Sequence, residues 1–214
     1  MSLLFSDNKV IKEKLKNEIV AVIRIKNTTL ARAVTEEAIK AGLNFIELTL
    51  TIENAPSLIK ELREKYPEKI IGAGTVLTKE QAEEVIKNGA MFIVCPCFVP
   101  EIIEVCNEKG ILCLPGIGTA TEAYNAYKLG CDIVKAFPGD VLGSKFIKNL
   151  KGPMPFINCM PSGGVSLENI KDWFKSGAYA VSIGSSLYEK VTMENLELIN
   201  ERAKAYLEAA SNSV

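Results

Sequence analysis

Two charged side chains sit inside runs of sequence that are otherwise built for a buried strand. Glu47 falls in the apolar run 45–50 and Lys135 in the run 133–137. Side chains alternate along an extended chain, so Phe45, Glu47 and Thr49 share one face, and Ile133, Lys135 and Phe137 share another. A charge on the inward face of a buried strand is costly unless it is paired or used. Two structural readings stand beside the chemical one. Glu47 and Lys135 form a buried ion pair, or one run is a residue out of phase and Lys135 turns onto the helix side. The chemical reading is specific. A lysine in a dry, partly apolar site loses stabilisation of its ammonium form, and its free amine attacks a carbonyl to give a Schiff base. The iminium draws electrons from the neighbouring carbon and permits C–C cleavage, with a carboxylate, here Glu47, moving the protons. Arg24 at the end of the first run and Thr75 at the end of the third are further polar residues in the same kind of place.

A second constellation lies near the far end of the chain. Pro161-Ser-Gly-Gly-Val-Ser166 and Ile183-Gly-Ser-Ser-Leu187 each follow an apolar run and open a helix. Glycine-rich turns with free N–H groups at helix starts make anion sites, so the two turns together predict a phosphate-binding cradle.

Composition narrows the remaining chemistry. The 214 residues include 25 basic and 26 acidic side chains, a net charge of −1, and no histidine. Without imidazole there is no Ser-His-Asp or Cys-His nucleophile system and no imidazole-based zinc site. No metal and no cofactor are expected. The balanced charge gives no electrostatic footprint for nucleic acid, and no apolar run approaches the roughly 20 residues of a membrane span. The six cysteines read as reduced thiols of a cytoplasmic protein, since Met1 to Lys16 is charged and lacks the apolar stretch of a signal peptide. Cys95-Pro-Cys97 has the look of a ligand pair, but with no histidine and no second close pair it reads as packing.

The elements that must position these groups follow one repeating unit. Short apolar runs at 19–25, 45–50, 70–75, 91–95, 111–115, 133–137, 155–160 and 179–184 alternate with amphipathic helical spacing. Thr78 with Gln81 and Thr119 with Glu122 read as capping boxes, and Gly42, Gly89, Gly110, Gly130 and Gly177 as left-handed residues after helices. Eight such units over residues 1–214 predict a single α/β domain, a (β/α)8 TIM barrel with residues 4–18 as an extra N-terminal helix across its bottom. A doubly wound open sheet is the alternative, weakened by the lack of Gly-x-Gly-x-x-Gly after the first run. Residues 192–210 read as a closing helix. Barrels of this kind carry their chemistry at the C-terminal ends of the strands, which is where the residues above fall.

Several motifs then become recognisable together. Val20-Ala-Val-Ile-Arg24, Ile46-Glu-Leu-Thr49, Ile71-Gly-Ala-Gly-Thr-Val-Leu77, Val134-Lys-Ala-Phe-Pro138, Pro161-Ser-Gly-Gly-Val165 and Ile183-Gly-Ser-Ser186 occur in order. In this set the chain resembles the 2-keto-3-deoxy-6-phosphogluconate and 4-hydroxy-2-oxoglutarate aldolases, with their galactonate-type relatives. The resemblance runs from Val20 to Tyr188 and implies a metal-independent class I aldolase on a (β/α)8 barrel, a homotrimer acting on a small-molecule substrate. By position it implies Lys135 as the Schiff-base lysine, Glu47 as the acid/base, and Thr75 at the pyruvyl carboxylate. It implies Gly163, Gly164 and Ser185 at the phosphate, with Thr49, Pro115 and Phe137 lining the pocket. One departure stands out. Many relatives carry an arginine where this chain has Thr51, and a threonine cannot make a bidentate contact to a carboxylate. Arg24 is the expected replacement, and the identity of the 2-keto-3-deoxy acid stays open. Two rivals are a phosphate-binding isomerase or epimerase using Glu47 with Cys97 or Lys135, and a sugar-phosphate binder without turnover.

Overall fold

The computed structural model describes residues 8–213. The chain begins with α1 (Asn8–Leu15), β1 (Ile19–Ile23), α2 (Thr28–Lys40), β2 (Phe45–Thr49), α3 (Ala55–Lys65) and β3 (Ile70–Gly74). It continues through α4 (Lys79–Lys87), β4 (Phe92–Val94), α5 (Pro100–Lys109), β5 (Leu112–Leu114), β6 (Gly116–Ile117) and α6 (Ala120–Lys128). The last part holds β7 (Ile133–Ala136), α7 (Gly139–Leu142), α8 (Ser144–Lys151), β8 (Asn158–Pro161), α9 (Ile170–Lys175), β9 (Val181–Ile183), α10 (Ser185–Tyr188) and α11 (Glu197–Ser211).

Local chemistry explains the boundaries. Thr78 and Gln81 form the expected capping box on α4. On α6, Thr119 caps as expected, while Glu122 reaches one residue further back and accepts the N–H of Gly118 at 2.9 Å. The five glycines expected after helices all have positive φ, from 68° to 112°. Residues 4–7 of the expected N-terminal helix lie outside the described residues, and the described part is α1. The closing helix forms as α11, because Thr192 to Asn195 make a hydrogen-bonded turn ahead of it.

Every expected strand forms, and all pairs are parallel. The curled sheet is not one closed eight-strand ladder, however. Six strands run in the order β5-β4-β3-β2-β1-β9 and three in the order β6-β7-β8. Prolines stand at both divisions. The fifth expected run forms β5, paired with β4, and ends at Pro115; β6, paired with β7, follows just beyond that run, and proline has no N–H to carry the ladder through. At the other division Pro161 ends β8, and no ladder joins it to β9: an isolated bridge, Ser162 to Ser182, and the Ser182 hydroxyl donating to the Pro161 carbonyl at 2.9 Å make the link.

Two cores result. Helix-facing residues such as Ile23, Leu48, Ile71 and Val134 form the larger one. Val20, Phe45, Phe92, Leu112, Ile133 and Met160 fill the space enclosed by the curled sheet, with Ile11 and Leu15 of α1 plugging its lower end. That plug leaves only the opposite end, where the strands finish, open for polar side chains.

Candidate active site

Directly above this inner core the side chains turn polar. Lys135 and Glu47 point into the same interior, 1% and 0% exposed, with Nζ 3.8 Å from Oε1. Both strands are therefore in phase, and the pair is buried. It is a charge contact without a hydrogen bond, and among the described residues neither Glu47 oxygen has a hydrogen-bond partner. Orphaned acceptors in a dry interior are costly and call for a reason beyond packing. Burial pushes the Glu47 carboxyl above the ordinary carboxylate range, and the positive charges of Lys135 and Arg24 oppose that rise only in part.

The neighbouring strand makes this arrangement possible. Gly72 and Gly74 put no side chain on the inward face of β3. A Cβ on Gly74 would lie 2.6 Å from Glu47 Cδ and Cγ, and one on Gly72 2.5 Å from the Phe92 ring. The two glycines are thus the space that Glu47 and Phe92 occupy. Lys135 is fixed from the other side: its N–H donates to the Pro115 carbonyl at 2.9 Å, and its Nζ lies 5.1 Å from the centre of the Phe137 ring. Thr75 follows directly on β3 with φ +58°, and its buried hydroxyl has no partner among the described residues.

Beside the pair lies a cavity of about 400 Å³. Arg24, Phe137, Gly163, Gly164, Ser185 and Tyr188 are on its wall, so one space joins both glycine-rich turns to Arg24. Lys135 and Glu47 are not on the wall, but Phe137 and Val22, the ladder partner of Glu47, are. Gly164 requires glycine twice over, with φ +71° and Asp140 Cβ 2.7 Å from any added Cβ. Asn169 braces this turn by donating to the Gly164 carbonyl at 2.7 Å and accepting the Ser166 N–H at 2.9 Å.

Thr49 and Pro115 do not line the cavity. The Thr49 hydroxyl donates to the Ile23 carbonyl at 3.0 Å and meets the Thr51 hydroxyl at 2.7 Å. Thr51, the position of the missing arginine, is thereby tied to β2. Three features of the site were not read from the sequence. The glycines at 72 and 74 were signalled by their alternation opposite Glu47. Tyr188, which accepts the Arg24 N–H at 3.2 Å, had no sequence signal beyond its place just after the second anion turn. All six cysteines are free, and among them only Cys97 is exposed; no cluster able to hold a metal ion occurs among the described residues.

Fold and site together define an α/β protein with a buried lysine–carboxylate pair beside a cavity at the strand ends walled by two glycine-rich turns. Over residues 10–201 the chain matches the family described as KDPG and KHG aldolase, and it belongs to that family of carbon–carbon lyases. It is 34% identical over 185 residues to a 2-dehydro-3-deoxy-phosphogluconate aldolase of Haemophilus influenzae, covering 86% of this chain and 87% of that one. It is 32% identical over 201 residues to a 2-dehydro-3-deoxy-6-phosphogalactonate aldolase of Escherichia coli, covering 93% and 97%. A solved KDPG aldolase from Legionella pneumophila, with pyruvate captured as a covalent carbinolamine intermediate, superposes with a TM-score of 0.83 at 26% identity, covering 89% and 94%.

Proposed function

We propose that this chain is a class I aldolase, one (β/α)8 domain, that cleaves a 2-keto-3-deoxy sugar acid phosphate of the 6-phosphogluconate type. The products are pyruvate and glyceraldehyde 3-phosphate. The observation that carries the reading is the buried Lys135–Glu47 pair with both carboxylate oxygens unpartnered.

In this reading the Lys135 amine attacks the C2 carbonyl past Phe137, and the carbinolamine hydroxyl takes the proton of protonated Glu47 and leaves as water, giving an iminium. Glu47, ionised, takes the proton of the C4 hydroxyl. The C3–C4 bonding pair then flows into the iminium, the aldehyde leaves, and an enamine remains on Lys135. Protonated Glu47 returns its proton to C3, and water hydrolyses the pyruvyl iminium, its surplus proton passing to Glu47, to release pyruvate and the free amine. The raised Glu47 pKa suits a group that must both take and return a proton. Arg24 and Thr75 hold the carboxylate, and Gly163, Gly164 and Ser185 hold the phosphate. The carbinolamine seen in the Legionella relative supports the covalent route.

The galactonate-type substrate is the second candidate, favoured by the E. coli relative matched over 93% of this chain. A homotrimer in the cytoplasm completes the reading, and light scattering tests the assembly. The deciding experiment is borohydride trapping with pyruvate followed by peptide mass spectrometry, alongside a lactate dehydrogenase-coupled assay on both phosphates. The expected outcome is a pyruvyl adduct on Lys135 in protein that releases pyruvate. Active protein with unmodified Lys135 refutes the route.

A further inference from the structure

Tyr188 occupies a place that no step above uses. It ends α10, three residues beyond Ser185, and its ring is half-buried on the cavity wall. Its phenol oxygen accepts the main-chain N–H of Arg24 at 3.2 Å, which fixes the oxygen at the upper end of β1. That position has a meaning in the sheet. β1 lies between β2, which carries Glu47, and β9, which leads into the turn at Ser185. A phenol pinned on β1 therefore faces the stretch between the proton-shuttling carboxylate and the anion turns. Its oxygen has accepted a bond, while its own proton goes to no acceptor among the described residues. Burial raises the phenol above its ordinary pKa, and the nearby Glu47 charge adds to that rise, against the opposing influence of the Arg24 N–H and charge. The group stays a donor across the neutral range.

We propose that Tyr188 is a substrate-binding, specificity-determining residue whose hydroxyl donates a hydrogen bond to the C5 hydroxyl, one carbon beyond the carbinol that Glu47 deprotonates. The inference rests on the aldolase reading above and deepens it. A substrate spanning Lys135 and the turns at Gly164 and Ser185 must run its middle carbons past β1, and the C5 oxygen is the one polar atom there that no other assigned group serves. Tyr188 therefore selects for chains hydroxylated at that carbon. It separates sugar-acid phosphates from short keto acids that end in a second carboxylate.

The test is a double cycle on the whole enzyme: wild type and Tyr188→Phe, each assayed on the phosphorylated substrate and on its 5-deoxy analogue. Pyruvate release is read as kcat/KM. Wild type is expected to lose about tenfold on the 5-deoxy analogue, the scale of one lost neutral hydrogen bond in a desolvated site. Tyr188→Phe is expected to lose about tenfold on the complete substrate and nothing further when the hydroxyl is also absent. Losses that multiply independently would show that Tyr188 acts only by bracing Arg24, and they overturn the proposal. So does a wild type indifferent to the hydroxyl. Failure of the underlying reading looks different: wild type then releases no pyruvate from either compound.

Discussion

Gly74→Ala is the sharpest perturbation the site offers, because it adds one carbon where Glu47 already stands. The new Cβ would lie 2.6 Å from Glu47 Cδ and Cγ, with Oε1 closer still. Ordinary contact begins at 3.4 Å, so the carboxyl stem must withdraw by about 0.8 Å and the oxygen by more. Backbone strain does not enter, since Gly74 is not among the positive-φ glycines and alanine accepts its conformation. Nor does β3 have freedom to yield, being paired to β2 at Gly74–Thr49 and to β4 at Gly74–Val94. The displacement falls on the carboxyl that the proposed mechanism uses to move protons. A shift of that order costs roughly 10²-fold in rate, and overpacking of this kind costs about 1–3 kcal/mol of stability. We expect kcat in the coupled pyruvate assay to fall about a hundredfold, with urea unfolding reporting a stability loss in that range. Because Lys135 sits on another strand, pyruvate should still be trapped on it by borohydride. A variant within threefold of wild-type kcat would refute the reasoning, for it would mean that Glu47 works from more than one position.

Four further outcomes follow from the structure. Because the Glu47 pKa is raised in the folded protein, the acid limb of kcat/KM should lie above pH 4.5 and be lost from the residual activity of Glu47→Gln. The folded state holds that proton where the unfolded chain has released it, so stability should decline as pH rises from about 4.5 to the raised pKa; Glu47→Gln should flatten that slope in urea titrations. Gly164→Ala forces both a left-handed alanine and a clash with Asp140, and is expected to raise KM for phosphorylated substrate at least tenfold; an unchanged KM would remove this turn from the phosphate site. Of the six thiols, Ellman's reagent should titrate Cys97 alone in native protein and all six in denaturant, since the others are buried and Cys159 is pushed up to about 12 by burial; a second fast thiol would contradict the packing of β4 and β5.

The strands were legible because parallel strands covered on both faces must be apolar throughout, so any charge within them is conspicuous. Glu47 and Lys135 could be read for that reason, but alternation left open whether both runs were in phase, which the fold settles by bringing Nζ to 3.8 Å from Oε1. The division of the sheet was less legible. Pro115 and Pro161 are visible in the sequence as residues lacking an N–H, yet whether a ladder closes around them depends on the curl of the whole sheet. Tyr188 was beyond reach because a side chain's contact from a four-residue helix depends on the loop before it, which carries no periodic signal.

Thr51 shows how the structure changes a reading that residue type alone would leave unsettled. From the sequence it is a missing cation. In the fold its hydroxyl is tied to Thr49, whose own proton goes to Ile23, and the position lies off the cavity wall. Among the described residues Arg24 is then the one cationic side chain on the cavity wall. A doubly anionic substrate offers two anionic ends to one guanidinium. The end nearer Lys135 has the better claim, because Arg24 already acts on the Glu47 carboxylate through space. In the proposed reaction the phosphate is then held mainly by N–H groups and hydroxyls at the two glycine-rich turns, while the need for glycine at 164 comes from its φ of +71° and the closeness of Asp140.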